Sequence, residues 1–229
     1  MGRKLSIVIP CLNEEKTIGI CIEKSYKVLN ELGLDGEIII SDNGSEDNSV
    51  SIARNLGAKV VHCKEKGYGN ALRFGFEYAQ GDYVLICDAD NTYDLSEIPL
   101  LCDKLTPSTG MVIGSRLRGN IEKGAMPFLH RYFGTPALTV LLNILYGTRI
   151  SDIMCGMRIM KKDFLDEINF KTSGMEFASE LLVEFAKHKF KIEEVNISLK
   201  NGVKGRKSHL NTWKDGWRHL CYIIGERFV

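Results

Sequence analysis

Two aspartates that follow an apolar segment are the residues with the clearest chemical potential. The segment Tyr83–Cys87 reads YVLIC, and Asp88 and Asp90 come directly after it with one residue between them. Carboxylates at the end of a strand can hold Mg²⁺ or Mn²⁺, directly or through water. Such a cation bridges the phosphates of a diphosphate and offsets charge as a leaving group departs. An isolated D-x-D is more often an acidic turn, so the surrounding segments must decide between the two.

The first half of the chain alternates between short apolar runs and amphipathic stretches. The runs predict strands over Leu5–Cys11, Glu37–Ser41, Lys59–His62, Tyr83–Cys87 and Met111–Gly114. The stretches between them predict helices over Ile18–Leu32, Ser45–Leu56, Asn70–Gln80 and Ser96–Leu105. Continuous apolar strands joined by helices are typical of an α/β fold with a mostly parallel, Rossmann-like sheet.

The second half is less regular. Helices are predicted over Leu138–Tyr146, Glu176–Lys187 and Thr212–Ile224, and strands over Gly156–Met160 and Lys191–Leu199. A basic loop, Asn201–Lys207, precedes the final helix. Because no repeat or Pro-rich linker interrupts the chain, we expect one domain over residues 1–229.

Ligands of parallel sheets bind beyond the carboxyl ends of the strands. That rule selects four places in this chain: Pro10–Glu14, Asp42–Ser45, Asp88–Asp90 and Ser115–Arg118. Polar residues follow an apolar strand at all four. This agreement favours a metal–diphosphate site at Asp88 and Asp90 over an acidic turn.

At two of these places the residues can have a purely structural role instead of a functional one. Asp42 can accept hydrogen bonds from a ribose hydroxyl or a base N–H, or it can form a turn in which Ser45 caps a helix. Glu14 can face a nucleotide base, but Asn13 or Thr17 acting as a helix cap is favoured by the residues alone.

Glycines and cations supply further candidates. Lys64–Asn70 contains Gly67 and Gly69 before a helix, so its backbone can approach a phosphate, although the G-K-[ST] ending of a P-loop is missing. The positively charged candidates in the middle are Arg116, Arg118, His130 and Arg131. Arg206, Lys207, Ser208 and His209 form either a loop that closes over phosphates or an exposed loop. Asp152 is a base, a ligand or a buried partner of Arg158.

Composition limits the classes of function. The net charge is +1, which gives no whole-chain argument for binding nucleic acid. The 7 cysteines include no C-x-x-C pair. This predicts a protein of a reducing compartment that has neither disulfides nor a zinc site. Ala137–Tyr146, the longest apolar stretch, is too short to span a bilayer. The last helix can lie on a lipid surface or pack on the core; its relevant residues are Trp213, Lys214, Trp217, Arg218, Ile223 and Ile224.

The sequence resembles the family-2 inverting glycosyltransferases of the GT-A fold. Within them it is similar to the dolichol-phosphate-mannose-synthase-like and polyprenyl-phosphate-sugar-synthase group. The matching blocks are SIVIPCLNEEKTI (Ser6–Ile18), IIISDNGSEDNS (Ile38–Ser49), KGYGNALRFGFEYAQGDYVLICDAD (Lys66–Asp90), GSRLRG (Gly114–Gly119), SDIMCGMRIMKKD (Ser151–Asp163), GMEFASELL (Gly174–Leu182) and GRKSHLNTWKDGWRHL (Gly205–Leu220). Asn91-Thr92 departs from the pattern, since Gln is common there.

The resemblance implies transfer of a hexose, with inversion, from a nucleoside-diphosphate sugar to a polyprenyl phosphate, with Mg²⁺ or Mn²⁺ as cofactor. Residues 1–119 would bind the nucleotide sugar and residues 120–229 the acceptor, at the cytoplasmic face of a membrane. The implied roles are nucleoside binding by Pro10, Leu12, Glu14 and Asp42, donor contact by Lys66 and Gly67, metal binding by Asp88 and Asp90, phosphate contact by Arg116, Arg131, Arg206 and Ser208, and proximity to the acceptor for Asp152.

Other functions remain open at this point. A glycan hydroxyl as acceptor would need a base, for which Asp152 is the candidate. A non-catalytic module would bind the nucleotide sugar without turnover. A nucleotidyltransferase is disfavoured, because Pro10–Asn13 replaces the Gly-rich, Arg-containing loop expected after its first strand.

Overall fold

Seven strands form one sheet in the computed structural model, which describes residues 4–203 and 211–228. The strands are β1 (Lys4–Cys11), β2 (Asp35–Asp42), β3 (Lys59–His62), β4 (Tyr83–Ile86), β5 (Thr109–Ser115), β6 (Arg158–Lys161) and β7 (Lys191–Asn196). Their order across the sheet is β3-β2-β1-β4-β6-β5-β7. The predicted α/β fold with a mostly parallel sheet is confirmed.

Strand β6 is the exception to parallel pairing. It runs antiparallel to both of its neighbours, β4 and β5, so these two strands point the same way although they do not touch. The carboxyl ends of β1 to β5 therefore share one edge of the sheet with the beginning of β6. Apolar runs that are buried on both faces give no sign of strand direction, which is why the sequence predicted β6 without its orientation.

Eight helices surround the sheet in the described part of the chain. They are α1 (Ile18–Glu31), α2 (Ser49–Asn55), α3 (Tyr68–Glu77), α4 (Ile98–Asp103), α5 (Thr135–Tyr146), α6 (Lys162–Glu167), α7 (Phe177–Lys187) and α8 (Thr212–Gly225). A 3₁₀ turn, Leu95–Glu97, leads into α4, and a π-helical turn, His130–Gly134, leads into α5. The π-helical turn and α6 were not predicted from the sequence.

Burial explains why these elements form. Ile7, Val8 and Ile9 of β1 are completely buried, because β1 lies in the middle of the sheet with helices on both sides. In α1 the buried residues recur at helical spacing, from Ile18 to Leu29, and Gly33 follows with φ of 59°. Glycine takes this left-handed conformation without strain, so it ends the helix as predicted.

Two predicted boundaries are wrong for local reasons. Helix α2 begins at Ser49 rather than Ser45, because the preceding residues fold into a turn on the Asp42 carboxylate. Strand β7 ends at Asn196 rather than Leu199, and Leu199 instead forms isolated bridges to Tyr93 and Ile121.

Two predictions concern the basic loop and membrane-spanning helices. Arg206 and Ser208 lie outside the described residues, so their predicted roles stay predictions. Within residues 4–203 and 211–228, no helix is long and apolar enough to cross a membrane.

Candidate active site

The turn after β4 carries Asp88 and Asp90. Asp90 is buried, and its Oδ1 accepts hydrogen bonds from the Thr92 backbone N–H at 3.0 Å and from the Thr92 hydroxyl at 2.7 Å. Asn91 has a left-handed φ of 58°, and its Oδ1 accepts a hydrogen bond from Lys24 Nζ at 2.7 Å. Asn91-Thr92 thus fixes the conformation of the turn that presents both carboxylates.

Gly156, in the segment before β6, lies against the side chain of Asp88. A Cβ atom on Gly156 would be 2.7 Å from Asp88 Oδ2, so only glycine fits here without displacing the carboxylate. The Gly156 N–H donates to the hydroxyl of Tyr93 at 2.7 Å. The segment before β6 is therefore held in direct contact with the Asp88 side chain.

Tyr68 also contacts Asp88, with its hydroxyl 3.4 Å from Oδ1. Burial and then the charge of Asp88 raise the pKa of Tyr68 well above its ordinary value, so its hydroxyl stays protonated as a donor. Sequence reasoning missed Tyr68, Tyr93 and Gly156 as parts of the site. A signal existed for the tyrosines, since one follows Gly67 and the other follows Asn91-Thr92.

The donor set at this turn fits a hard divalent cation. Carboxylate oxygens are the ligands that Mg²⁺ and Mn²⁺ prefer. Across residues 4–203 and 211–228 no cluster of three or more His, Cys, Asp or Glu side chains is placed to hold a metal by itself. A cation on Asp88 and Asp90 would thus take its other ligands from water or a bound phosphate, as expected for one that arrives with a diphosphate. The assignment stays a prediction.

Asp42, at the end of β2, forms the turn that was the alternative to nucleoside binding. Its carboxylate accepts hydrogen bonds from Gly44 N at 3.2 Å and Ser45 N at 3.0 Å, and His62 Nδ1 lies 3.1 Å from Oδ2. Burial would raise the pKa of Asp42, but the hydrogen bonds from Ser45, His62 and Gly44 outweigh it and lower the pKa. Ser45 caps no helix; its hydroxyl accepts from Asn13 N at 3.0 Å.

The loop after β1 joins the loop after β2. Glu14 is buried, with its backbone N–H bonded to Ser49 Oγ at 2.8 Å and its Oε2 3.2 Å from Thr17 Oγ1. Asn13 Oδ1 accepts from Glu46 N at 2.8 Å. Thr17 occupies the N-cap position of α1, as one alternative predicted, but it makes no capping hydrogen bond through its side chain. Two further predicted residues are half-buried nearby: Pro10 close to the end of β1 and Leu12 in the loop that follows it.

The glycine loop before α3 packs on backbone instead of leaving room for a phosphate. The Ser173 carbonyl accepts hydrogen bonds from Gly69 N at 2.9 Å and Asn70 N at 3.3 Å, which occupies the helix N-terminus. A Cβ on Gly67, whose φ is 132°, would overlap that same carbonyl. The interpretation of this helix N-terminus as a phosphate site is therefore wrong. Lys66 Nζ donates to the Asn43 carbonyl at 2.9 Å and remains near the Asp42 turn.

Arg116 and Asp152 form a buried ion pair beyond β5. Arg116 Nε is 2.7 Å from Asp152 Oδ2, Nη2 is 2.8 Å from Oδ1, and the Arg116 backbone N–H donates to Oδ2 at 3.1 Å. Asp152 is completely buried, whereas the Arg116 side chain is 13% exposed. Asp152 thus pairs with Arg116 and not with Arg158, which was one of the alternatives.

This pairing argues against Asp152 as a base. Burial alone would raise its pKa, but the charge and hydrogen bonds of Arg116 and a bond from Met154 N lower it. A carboxylate with a lowered pKa and no exposed surface is a poor proton acceptor. Asp152 instead fixes the orientation of the Arg116 guanidinium.

Arg131 and His130 lie in the π-helical turn, and Arg131 is half-buried with its guanidinium 5.4 Å from the Tyr132 ring centroid. Burial and then the positive charge of Arg116 lower the pKa of His130. Arg118 does not join the group, since its side chain is 64% exposed and lies 3.7 Å from Glu194.

Comparison with known proteins identifies the class of molecule that this sheet and site define. The model of glycosyl transferase family 2 matches residues 6–169, and the chain belongs to that family. It is therefore a glycosyltransferase with a GT-A-type α/β fold.

Three curated relatives are sugar transferases by name, and two of them are named for dolichyl or dolichol phosphate. The chain is 38% identical to the low-salt glycan biosynthesis hexosyltransferase Agl6 of Haloferax volcanii over 96% of its own length and 53% of the relative's. It is 31% identical to a dolichyl-phosphate hexose transferase of the same organism, covering 84% of this chain and 81% of the relative. It is 28% identical to a dolichol-phosphate mannosyltransferase of Pyrococcus furiosus, covering 79% and 53%. The chain thus spans about half the length of two of these relatives.

Solved structures share the fold. Glucosyl-3-phosphoglycerate synthase of Mycobacterium tuberculosis, in complex with Mn²⁺, UDP and glucosyl-3-phosphoglycerate, superposes with a TM-score of 0.79. The match covers 99% of this chain and 80% of that one at 23% identity. Similarity at this level supports the architecture alone.

Proposed function

We propose that the chain transfers a hexose from a nucleoside-diphosphate sugar to a polyprenyl monophosphate, with inversion at the anomeric carbon. The observation that carries this proposal is the arrangement around Gly156. The Asp88 carboxylate contacts Gly156, and Asp152, four residues earlier in the same segment, orients the Arg116 cation. A site for a cation and its diphosphate thus borders a site for an anionic acceptor. The relatives named for dolichyl-phosphate substrates support the same acceptor.

On the donor side, residues 1–119 bind the nucleotide sugar. Asp88 and Asp90 would hold Mg²⁺ or Mn²⁺, which would supply positive charge against the leaving diphosphate. The Thr92 hydrogen bonds and the contact with Gly156 keep both carboxylates in place, so little reorganisation is needed during transfer. Pro10, Leu12, Glu14 and Asp42 would contact the nucleoside, and Lys66 and Gly67 would lie near the donor.

On the acceptor side, residues 120–229 together with Arg116 bind the phosphate. A phosphate oxygen is already anionic near neutral pH, so positioning by arginines can replace a strong base. The oxygen attacks the anomeric carbon from the face opposite the diphosphate, a C–O bond forms there, and the bond to the nucleoside diphosphate breaks. The buried state of Asp152 agrees with this route, because no carboxylate has to accept a proton.

An exposed apolar face beside Arg131 favours an acceptor embedded in a bilayer. We call it the aromatic face; it consists of Phe128, Tyr132, Phe133, Val140, Ile144, Trp213 and Trp217, which are 55–79% exposed. A 2.9 Å hydrogen bond between His130 Nε2 and Thr212 Oγ1 connects the π-helical turn with α8. A second bond, which the Tyr146 hydroxyl donates to the Ile223 carbonyl at 2.8 Å, connects α5 with α8.

Helix α8 shows why this face is unlike an ordinary protein surface. Its inward residues include Asp215 and His219, whereas Trp213 and Trp217 on the opposite side point outward. Such large exposed apolar areas mark interaction sites. No Asp or Glu occurs between Glu122 and Asp152, so the face suits an anionic lipid surface. We therefore place the enzyme at the membrane face that presents nucleotide sugars, the cytoplasmic one.

Product analysis by mass spectrometry tests the proposal. UDP- and GDP-hexoses are offered with Mn²⁺ or Mg²⁺, together with either a polyprenyl phosphate in vesicles or an oligosaccharide acceptor. We expect a polyprenyl-phosphate hexose, and Arg131→Ala should raise KM for the lipid phosphate. Products on the oligosaccharide alone would instead support the glycan-hydroxyl alternative. Donor binding without turnover on either acceptor would support a non-catalytic module.

A further inference from the structure

Arg158, the first residue of β6, is a completely buried cation, and among the described residues its guanidinium bonds to backbone carbonyls alone. Nε donates to the Cys155 carbonyl at 2.9 Å, Nη2 to the Ile153 carbonyl at 2.8 Å and Nη1 to the Ala178 carbonyl at 2.7 Å. No carboxylate of residues 4–203 and 211–228 lies within ion-pair distance of it. A buried charge without a partner of opposite sign is costly, so its presence requires an explanation.

The three carbonyls show what Arg158 holds. Ile153 directly follows Asp152, which fixes Arg116, and Cys155 directly precedes Gly156, which contacts Asp88. The third carbonyl, of Ala178, belongs to the first turn of α7. The guanidinium thus anchors the segment 152–157 to α7 at the two points where that segment meets the donor and the acceptor sides of the site.

The sheet places the guanidinium under the same edge. Arg158 pairs across the sheet with Ile86, two residues before Asp88, and with Ile113, three residues before Arg116. Burial lowers the pKa of Arg158, and the neighbouring side chains of Tyr68 and Cys155 partly oppose that effect. Because Arg158 is completely buried, its guanidinium cannot contact the donor or the acceptor directly.

We propose that Arg158 is a positioning residue that sets the spacing between the two halves of the reaction centre. By fixing segment 152–157 it determines how close Asp88 stands to the Arg116 guanidinium. This inference rests on the proposed function: its kinetic test needs the lipid-phosphate acceptor, and its nucleotide test needs the cation on Asp88 and Asp90. A planar guanidinium reaches three carbonyls at once, whereas the single ammonium of lysine cannot reproduce that geometry.

Kinetics of Arg158→Lys, compared with Thr139→Val, test the inference. Thr139 Oγ1 accepts a hydrogen bond from Ile153 N at 3.2 Å, so Thr139→Val loosens the same segment without removing the anchor. A displacement of about 1 Å lowers a rate about 100-fold. For Arg158→Lys we expect a fall in kcat of about that size and a higher KM for the acceptor. The control should change kcat less than about 3-fold.

A second measurement does not depend on the acceptor. Isothermal titration of UDP and GDP with Mn²⁺ should show weaker nucleotide binding to Arg158→Lys, because Gly156 no longer holds Asp88 in place. All assays run well below the melting temperature of each variant, so loss of folded protein is excluded. If Arg158→Lys lowers the melting temperature but leaves both nucleotide affinity and kcat unchanged, Arg158 is structural only and the inference is wrong.

The two arms separate failure of the inference from failure of the proposed function. If the wild type transfers no hexose to a polyprenyl phosphate but binds nucleotide with Mn²⁺, the function is wrong while the titration arm still tests Arg158. A double-mutant cycle with Asp152→Asn adds a further check. Residues that act through one segment should give non-additive losses, whereas additive losses would contradict a shared role.

Discussion

At the scale of single residues, the space next to Asp88 depends on the absence of a side chain at position 156. A Cβ there would be 2.7 Å from Asp88 Oδ2. We expect Gly156→Ala to displace the carboxylate and to weaken Mn²⁺-dependent nucleotide binding about 10-fold or more, since metal sites tolerate little change in ligand position. Isothermal titration measures this effect. Gly216→Ala is the matched control, because no atom within 4 Å opposes a Cβ at Gly216.

Asp152 gives the second prediction at this scale. Asp152→Asn leaves the largely buried Arg116 guanidinium without its charged partner, which costs about 3–5 kcal/mol when such pairs are broken. Urea unfolding should show that loss in the free energy of unfolding. The exposed Lys27–Glu31 pair is the control: Glu31→Gln should cost about 0.5 kcal/mol or less. Equal losses for the two variants would contradict the buried ion pair.

At the scale of elements, the sequence predicted most strands and helices because their apolar patterns are strong. The runs of β1 to β5 and the spacing in α1 required no tertiary information. The direction of β6 could not be predicted, since buried strands carry no polarity signal. The capping of α3 by the Ser173 carbonyl also escaped prediction, because residues so distant in sequence meet only after folding.

The candidate site also has a part that the sequence predicted and a part that it did not. The sequence predicted where Asp88 and Asp90 lie, because the end of a strand and two carboxylates are adjacent in the chain. The Asp152–Arg116 pair spans 36 residues, and Asp152 was assigned as a possible base because its partner was unknown. The burial of Asp152 and its pairing with Arg116 argue against a role as a base, and the residues around Asp152 in the sequence do not predict that burial.

The interface of α7 and α8 predicts a pH effect on stability. His219 is completely buried, its Nδ1 lies 2.7 Å from Ser179 Oγ, and burial lowers its pKa to about 4. The unfolded chain binds a proton near pH 6.5 and the folded chain does not, so stability is full above pH 6.5 and falls as the pH drops towards 4. We expect a loss of about 2 kcal/mol between pH 7 and pH 5.

Thermal or urea unfolding at pH 7 and pH 5 measures this effect. His219→Gln cannot titrate, so the difference between the two pH values should shrink by about the same amount. The control is His188→Gln, because the His188 side chain is 39% exposed. An unchanged pH dependence in His219→Gln would show that the effect arises elsewhere.

At the scale of the whole molecule, we propose that the aromatic face brings the site to an acceptor in a lipid surface. Phe128→Ser with Phe133→Ser, or Trp213→Ser with Trp217→Ser, should weaken binding to vesicles containing phosphatidylglycerol about 10-fold. Ile20→Ser with Leu100→Ser is the control, since these exposed apolar residues lie on α1 and α4, away from the face. Co-sedimentation measures binding. Equal loss in the control pair, or none in the aromatic pairs, would contradict lipid docking.

We propose that Asp88 and Asp90 hold the cation that binds the donor diphosphate. The most direct measurement is a calorimetric titration of UDP and GDP into the wild type and Asp90→Asn, with and without Mn²⁺. Binding by the wild type should require Mn²⁺ and should weaken about 100-fold in the variant, in line with loss of a charged ligand. Equal affinities with and without the metal, or in both proteins, would contradict the assignment.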